Sequence, residues 1–278
     1  MAYKDFREHV LNHLGKFNKG DKGTYSYKGV TKSYQHILAI PDGESKEDVI
    51  KQIINDDGFC PDLFRNPQKY AHHLNSSQVV CYEFFRDKIT DDGHATAEMT
   101  AFLNAIGIPA KPFDNAECQY EYCPDEAEYT NFDFYIEGEG HYKVYFEIKY
   151  TENGFGSCKN DEEHTQKFNN TYKDMISNCA CLKKKPTFEE FRKYYQLFRN
   201  VLRVTKEHGD NEYVVFLFPE KNTVVQKQLH EFVAEYISDN WKQHVLEVHW
   251  EELTGFMKTG KFKEKFFPTD IFIILPNF

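Results

Sequence analysis

Asn131-Phe132-Asp133-Phe134-Tyr135-Ile136-Glu137 and Lys143-Val144-Tyr145-Phe146-Glu147-Ile148-Lys149 alternate apolar and polar side chains with the period of two that a β-strand imposes. Phe132, Phe134 and Ile136 fall on one side of the first strand, with Asp133, Tyr135 and Glu137 on the other. In the second strand Val144, Phe146 and Ile148 oppose Tyr145, Glu147 and Lys149. Between the two runs lies Gly138-Glu139-Gly140-His141, whose glycines tolerate the positive φ of a hairpin connection. A pairing centred on Gly140 sets Asp133 directly across from Glu147. Facing carboxylates repel, so the pair weakens the sheet unless a cation lies between them, and Mg²⁺ or Mn²⁺ prefers such oxygen ligands. The same residues also describe a solvent-facing hairpin with cross-strand ion pairs. The bare spacing recurs at Asp42 and Glu44-Ser45-Lys46, beside Pro41 and Gly43 and without strand alternation.

Further elements surround the hairpin. Asn75 and Gln78 predict the cap of a helix running from Ser76 to about Ile89, with Val79, Val80 and Phe84 inward and Glu83 at the edge of that side. A second helix follows from Ala95 to Ala105, and a strand near Cys118 to Tyr122 precedes the hairpin. After it, a polar insertion from Thr151 to Lys185 holds one short helix near His164 to Ser177, with Gln166 a candidate active-site amide. Thr187 and Glu190 form a capping box that opens a long helix closed near Gly209. Arg192, Gln196, Arg199 and Arg203 make a polar stripe along it, suited to phosphate and water or simply solvated. Tyr213 to Phe218, ended by Pro219, is an apolar run expected of a strand buried on both faces. A helix from Thr223 to Ser238 and strands near Val245 to Val248 and Ile271 to Leu275 extend this α/β pattern of a mixed sheet flanked by helices. Residues 1–70 form a mixed extension, with short helices at Phe6 to Leu14 and from Lys46. Residues 71–278 form the main unit, the two together making one compact body.

With 278 residues and 40% hydrophobic content, the chain can bury a substantial core. No apolar run is long enough for a bilayer, and the first residues lack the apolar core of a secretory signal, so a cytoplasmic protein with no membrane contact is expected. The seven cysteines contain no C-x-x-C pair, and reduced thiols are expected rather than a zinc site at Cys158, Cys179, Cys181 and His164. A net charge of −10 argues against broad phosphate binding, but the charge is unevenly spread. From Lys111 to Glu147 ten acidic residues face two basic ones, whereas from Lys183 to Lys206 eight basic residues face two acidic ones. An acidic centre beside a basic flank suits a metal and a phosphate backbone.

Asp133, then Glu147-Ile148-Lys149 after a short hairpin, then Tyr150-Thr151-Glu152, resembles the core of the PD-(D/E)XK nuclease superfamily. Leu74-Asn75-Ser76-Ser77-Gln78 and Gln196-Leu197-Phe198-Arg199-Asn200 are similar to a bacterial branch of it, and the likeness spans roughly Ala71 to Pro219. The superfamily's Pro-Asp is Phe132-Asp133 here; only the aspartate binds metal there. The resemblance implies a restriction-endonuclease-like α-β-β-β-α-β core with N- and C-terminal additions, acting on nucleic acid, DNA in particular. It further implies that Asp133, Glu147 and the carbonyl of Ile148 hold Mg²⁺ or Mn²⁺ while Lys149 assists hydrolysis. Glu83, with Glu98 as its rival, would add an acidic group from a helix, Gln196 an amide, and Arg192, Arg199 and Arg203 contacts to nucleic acid. An inactive nucleic-acid-binding module and a protein-interaction module on the same fold remain alternatives.

Overall fold

A computed structural model describes residues 2–54, 60, 63–64, 67–109, 111–124, 131–204, 211–257 and 260–272. Two sheets form. A two-stranded antiparallel hairpin, β1 (Lys22–Tyr27) and β2 (Val30–Leu38), stands apart from a five-stranded mixed sheet. The latter runs in the spatial order β3 (Glu117–Tyr122), β4 (Phe132–Glu137), β5 (Lys143–Ile148), β6 (Glu212–Phe218), β7 (Val245–His249). β3, β4 and β5 are mutually antiparallel, while β6 and β7 lie parallel to β5 and to each other. The expected mixed α/β architecture is therefore present, consistent with a restriction-endonuclease-like core.

The helices are α1 (Tyr3–Gly15), α2 (Lys46–Ile53), α3 (Ser77–Arg86), α4 (Ala97–Ala105), α5 (Glu162–Lys167), α6 (Lys173–Asn178), α7 (Phe188–Lys193), α8 (Tyr195–Val204), α9 (Thr223–Tyr236) and α10 (Gly260–Phe266). Both faces of the large sheet are covered. On one, Phe134, Ile136, Val144 and Phe146 share an apolar cluster with Phe6 and Val10 of α1, Ile50 of α2, Phe85 of α3, Phe102 of α4 and Phe266 of α10. Thus α1 and α2, N-terminal to residue 70, belong to the same core as the sheet. The other face packs Tyr135, Tyr145 and Phe216 against Phe191 of α7, Phe198 of α8 and Phe232 of α9. Among the described residues no helix is long and apolar enough to cross a membrane, and none of the seven cysteines forms a disulfide.

Several local expectations need correction. Most of the hairpin's polar side is buried, with Glu137 left exposed, because the rings of Tyr135 and Tyr145 carry enough apolar surface to pack beneath α7, α8 and α9. Phe132 breaks the alternation and packs on Tyr145 at 4.8 Å, on the side of Tyr135. It lies beyond Phe134↔Phe146, the last recorded pair, where the strands part. Ser76, not Asn75, caps α3 through the Val79 N–H; Asn75 spends its amide on Thr151 at 2.8 Å. The long helix after Thr187 is broken at Tyr194 (φ −116°, ψ 35°), although its capping box with Glu190 is present. The insertion's helix is interrupted by a π turn over Phe168–Tyr172. Ile271 and Phe272 lie in a turn rather than a strand, and the rest of that expected strand falls outside the described residues.

The hairpin between β4 and β5 is held from outside. A Cβ on Gly138 would come within 2.4 Å of the Pro112 carbonyl oxygen, so the chain passes there only because glycine has none. Deeper in the core, Phe85 of α3 stacks face to face on Phe134 of β4 at 4.0 Å, joining helix to sheet just behind the hairpin's polar end. Phe85→Ala should cost about 3–5 kcal/mol of unfolding free energy, measured by denaturant titration; a loss under 1 kcal/mol would contradict this packing.

Candidate active site

The β4–β5 ladder pairs Glu137 with Lys143, Ile136 with Val144, Tyr135 with Tyr145 and Phe134 with Phe146, the register centred on Gly140. One step further, Asp133 stands across from Glu147 at the open end of the hairpin. Here the Asp133 carboxylate, rather than a backbone carbonyl, accepts the N–H of Ile148 at 2.6 Å. Glu147 and Lys149, two residues apart and so on one face of the chain, are only 3% and 8% exposed. Lys149 Nζ donates to Glu147 Oε1 at 2.5 Å. Gln196 Nε2 donates to the same oxygen at 2.6 Å, and Asn200 Nδ2 to Glu147 Oε2 at 2.9 Å. Spaced by four, the two amides leave α8 from one face. The segment after β5 is equally fixed: the Tyr150 hydroxyl donates to the Phe266 carbonyl at 2.5 Å, and Asn222 donates to the carbonyls of Tyr150 and Glu152.

A third carboxylate completes the group. Glu121 in β3 lies between the pairs Tyr120↔Phe134 and Tyr122↔Phe132, which places it beside Asp133. Its backbone is left-handed (φ 50°), a conformation that costs a non-glycine residue about 1–3 kcal/mol and tends to gather at functional sites. Gln68 Nε2 donates to it at 3.3 Å and Asn131 Nδ2 at 3.5 Å. Burial pushes the Asp133 carboxyl well above the usual carboxylate range, and the negative charges of Glu147 and Glu121 push it further. Glu121 is raised for the same reasons, burial first and then Glu147, against the amide hydrogen bonds. Burial would lower Lys149, but Glu147, Glu152 and Asp133 outweigh it and hold the ammonium above its ordinary value. If all three acids ionise, they face one ammonium and leave two negative charges unbalanced.

That excess, in a set of hard oxygen donors, fits a divalent cation of the Mg²⁺ or Mn²⁺ kind. A carboxylate offers about four lone-pair positions, and the three donors on Glu147 leave room for a further contact. Among the described residues, however, no group of three or more His, Cys, Asp or Glu side chains is gathered closely enough to hold a metal as it stands. The cysteines and His164 make no such group either; His164 instead bonds Asp161 at 2.5 Å.

Of the residues singled out in the sequence, Asp133, Glu147, Ile148, Lys149 and Gln196 are brought together. Glu83 is directed elsewhere. It lies five residues beyond Gln78, the α3 residue on the Glu121 side, and five residues turn a helix by about 140°. Its carboxylate meets Lys265 of α10 at 3.4 Å, and burial pushes it up to about 7. Gln166 is exposed and bonds Glu162 at 2.9 Å. Arg203 is buried, so it is not part of a solvent-facing stripe. Arg192 pairs with Glu189 at 2.8 Å, and Arg199 lies over the Tyr195 ring at 4.9 Å, both half-buried. Two members were not foreseen: Asn200, which helical spacing from Gln196 would have reached, and Glu121, which no local spacing reveals.

A family model described as a restriction endonuclease associating with ARP matches residues 4–265. Comparison with curated proteins and with solved structures finds no match. The family match covers nearly the whole chain, including every residue of the Asp133–Glu147–Lys149 group, and the chain belongs to the family of restriction endonucleases associating with ARP.

Proposed function

We propose that the chain is a metal-dependent nuclease of the PD-(D/E)XK type that hydrolyses phosphodiester bonds in DNA. The observation that carries this is the buried Glu147–Lys149 pair directly across the ladder from Asp133, an arrangement of charges that is costly to bury. Asp133 and Glu147, with the Ile148 carbonyl, are the residues that would hold Mg²⁺ or Mn²⁺. The bound ion would supply Lewis-acid polarisation of the scissile phosphate and an acidified water. Lys149 is held above its ordinary value by Glu147, Glu152 and Asp133, which favours its charged, donating form. Its role is to orient the nucleophile and stabilise negative charge as it grows on the phosphate. Gln196 and Asn200 fix both oxygens of Glu147, so that the carboxylate is aimed before substrate arrives. Arg192 and Arg199, both half-buried, would meet the phosphate backbone by exchanging their present partners for it.

One observation favours a second reading. Both oxygens of Glu147 already have donors, and no complete metal cluster stands among the described residues. A binding module on this fold without hydrolysis would look the same. The family description names ARP as an associate, so a protein partner belongs to either reading.

Cleavage of plasmid and single-stranded DNA in Mg²⁺ separates the two. Glu147→Ala should abolish Mg²⁺-dependent cleavage, and Lys149→Ala should lower kcat by about 10²–10³-fold; full activity in the Glu147 variant refutes the assignment. Stability should follow the charge. Because the Asp133 carboxyl is raised in the fold, its contribution is greatest below the ordinary carboxylate range and is lost as pH climbs from about 4 towards the folded value. In EDTA, Asp133→Asn, which keeps an oxygen for the Ile148 N–H, should therefore gain in Tm over the parent as pH rises from 5 to 8. Mg²⁺ should raise the parent's Tm more at pH 8 than at pH 5, and the variant's little at either; equal responses in both proteins would count against metal binding here.

A further inference from the structure

Five lysines and one aspartate occupy residues 16–34, in a chain whose net charge is −10. This segment builds the β1–β2 hairpin, and most of its residues are exposed. Of the residues in the two strands, only Gly23 and Ile37 are buried, while Tyr27 and Val30 at the tip are 61% and 55% exposed. A two-stranded ribbon has little stability of its own, so such an arm is maintained for what it touches. Its turn is Lys28-Gly29, both left-handed (φ 49° and 77°), as a two-residue hairpin turn requires. Asparagine or glycine is the usual occupant of the first position. Here the strained place holds a lysine, whose ammonium lies 5.3 Å from the centre of the Tyr27 ring.

Cross-strand partners share a face, so Tyr25, Tyr27, Val30, Lys32 and Tyr34 lie on one side of the ribbon. That side continues onto the segment before α3. Tyr25 meets the Tyr70 ring at 5.6 Å, and Tyr70, itself 44% exposed, carries Lys69 at 5.3 Å from its centre. Tyr70 also packs on His73 at 5.2 Å, and burial holds His73 neutral near neutral pH, its pKa lowered to about 3. The result is a surface of aromatic rings edged by ammonium groups.

The arm is tied to the candidate active site at two points. Ile37 bridges His73, and the Leu74 N–H donates to the His36 carbonyl at 2.9 Å; next in the chain, Asn75 bonds Thr151, two residues past Lys149. Two residues before Tyr70, Gln68 bonds Glu121.

We propose that the β1–β2 hairpin, with Lys69 and Tyr70, is a nucleic-acid-binding arm that holds a strand with unpaired bases as it approaches Asp133 and Glu147. Lys28, Lys32 and Lys69 hold its phosphates, and Tyr27 and Tyr70 stack on its bases, a mode that tolerates any sequence. The occupant follows from charge complementarity and from exposed rings, which only unpaired bases can meet face to face. The arm's role as a feeder rests on the nuclease reading; its binding does not.

Fluorescence anisotropy of labelled single-stranded and duplex oligonucleotides in EDTA, where no cleavage occurs, tests it on the whole 278-residue chain. Tyr27→Ala/Tyr70→Ala should weaken single-strand binding by about tenfold or more and duplex binding less. Lys28→Ala/Lys32→Ala should flatten the slope of log K against log salt by about 1.4 for single strands. All four positions are exposed, so unchanged Tm values would show that the variants are folded. Parental affinity and salt slope in both variants, or failure of the parent to bind single strands, overturns the arm. Arm-dependent binding without Mg²⁺-dependent cleavage keeps the arm and removes the nuclease; cleavage with arm variants that bind normally does the reverse.

Discussion

Glu147 and Lys149 sit two residues apart on β5, almost wholly out of water, and the rest of the site is arranged around holding that pair there. Taking two ions into the interior costs several kcal/mol each even after relaxation, and their mutual attraction recovers this only with good geometry and further hydrogen bonds. Gln196 and Asn200 provide those bonds from α8, and α8 is held in place by Phe198 against Phe232 and Tyr236 of α9. On the opposite face, Phe85 braces β4 through Phe134. The two cores thus fix the two strands whose ends carry the acids.

The surroundings add negative charge instead of removing it. Asp133 and Glu121 share the neighbourhood of Glu147, and each is pushed towards its protonated form by burial and by the other acids. Glu121 holds its place with a left-handed backbone inside a strand. A sheet selected for stability alone would have placed one of the β-branched or aromatic residues at these positions. The unfavourable charge is understandable if a divalent cation, and then a phosphate group, completes the site.

Much of this was legible in the chain. Period-two alternation and the Gly140 turn together set the β4–β5 register, because a one-residue slip would have put Phe134 and Phe146 on the polar side. The unbroken apolar run of β6 correctly pointed to a central strand with both faces covered. What escaped detection depended on tertiary contacts. The burial of Tyr135 and Tyr145 follows from α7, α8 and α9, which arrive much later in the chain. Tyr194 breaks a helix without glycine or proline nearby to announce it. Asn75 and Ser76 are equally good caps by type, and the choice fell to Ser76 because Thr151 engages Asn75. Glu83 looked like an inward acid on α3, yet the inward direction at that position leads to Lys265. Glu121 is placed by the β3–β4 register, which no turn motif specifies.

The most direct measurement is a crystal grown or soaked in Mn²⁺ with data collected at the manganese absorption edge. An anomalous peak is expected within coordinating distance of both the Asp133 and Glu147 carboxylates. A well-ordered site with Lys149 on Glu147 and no anomalous density there would contradict it.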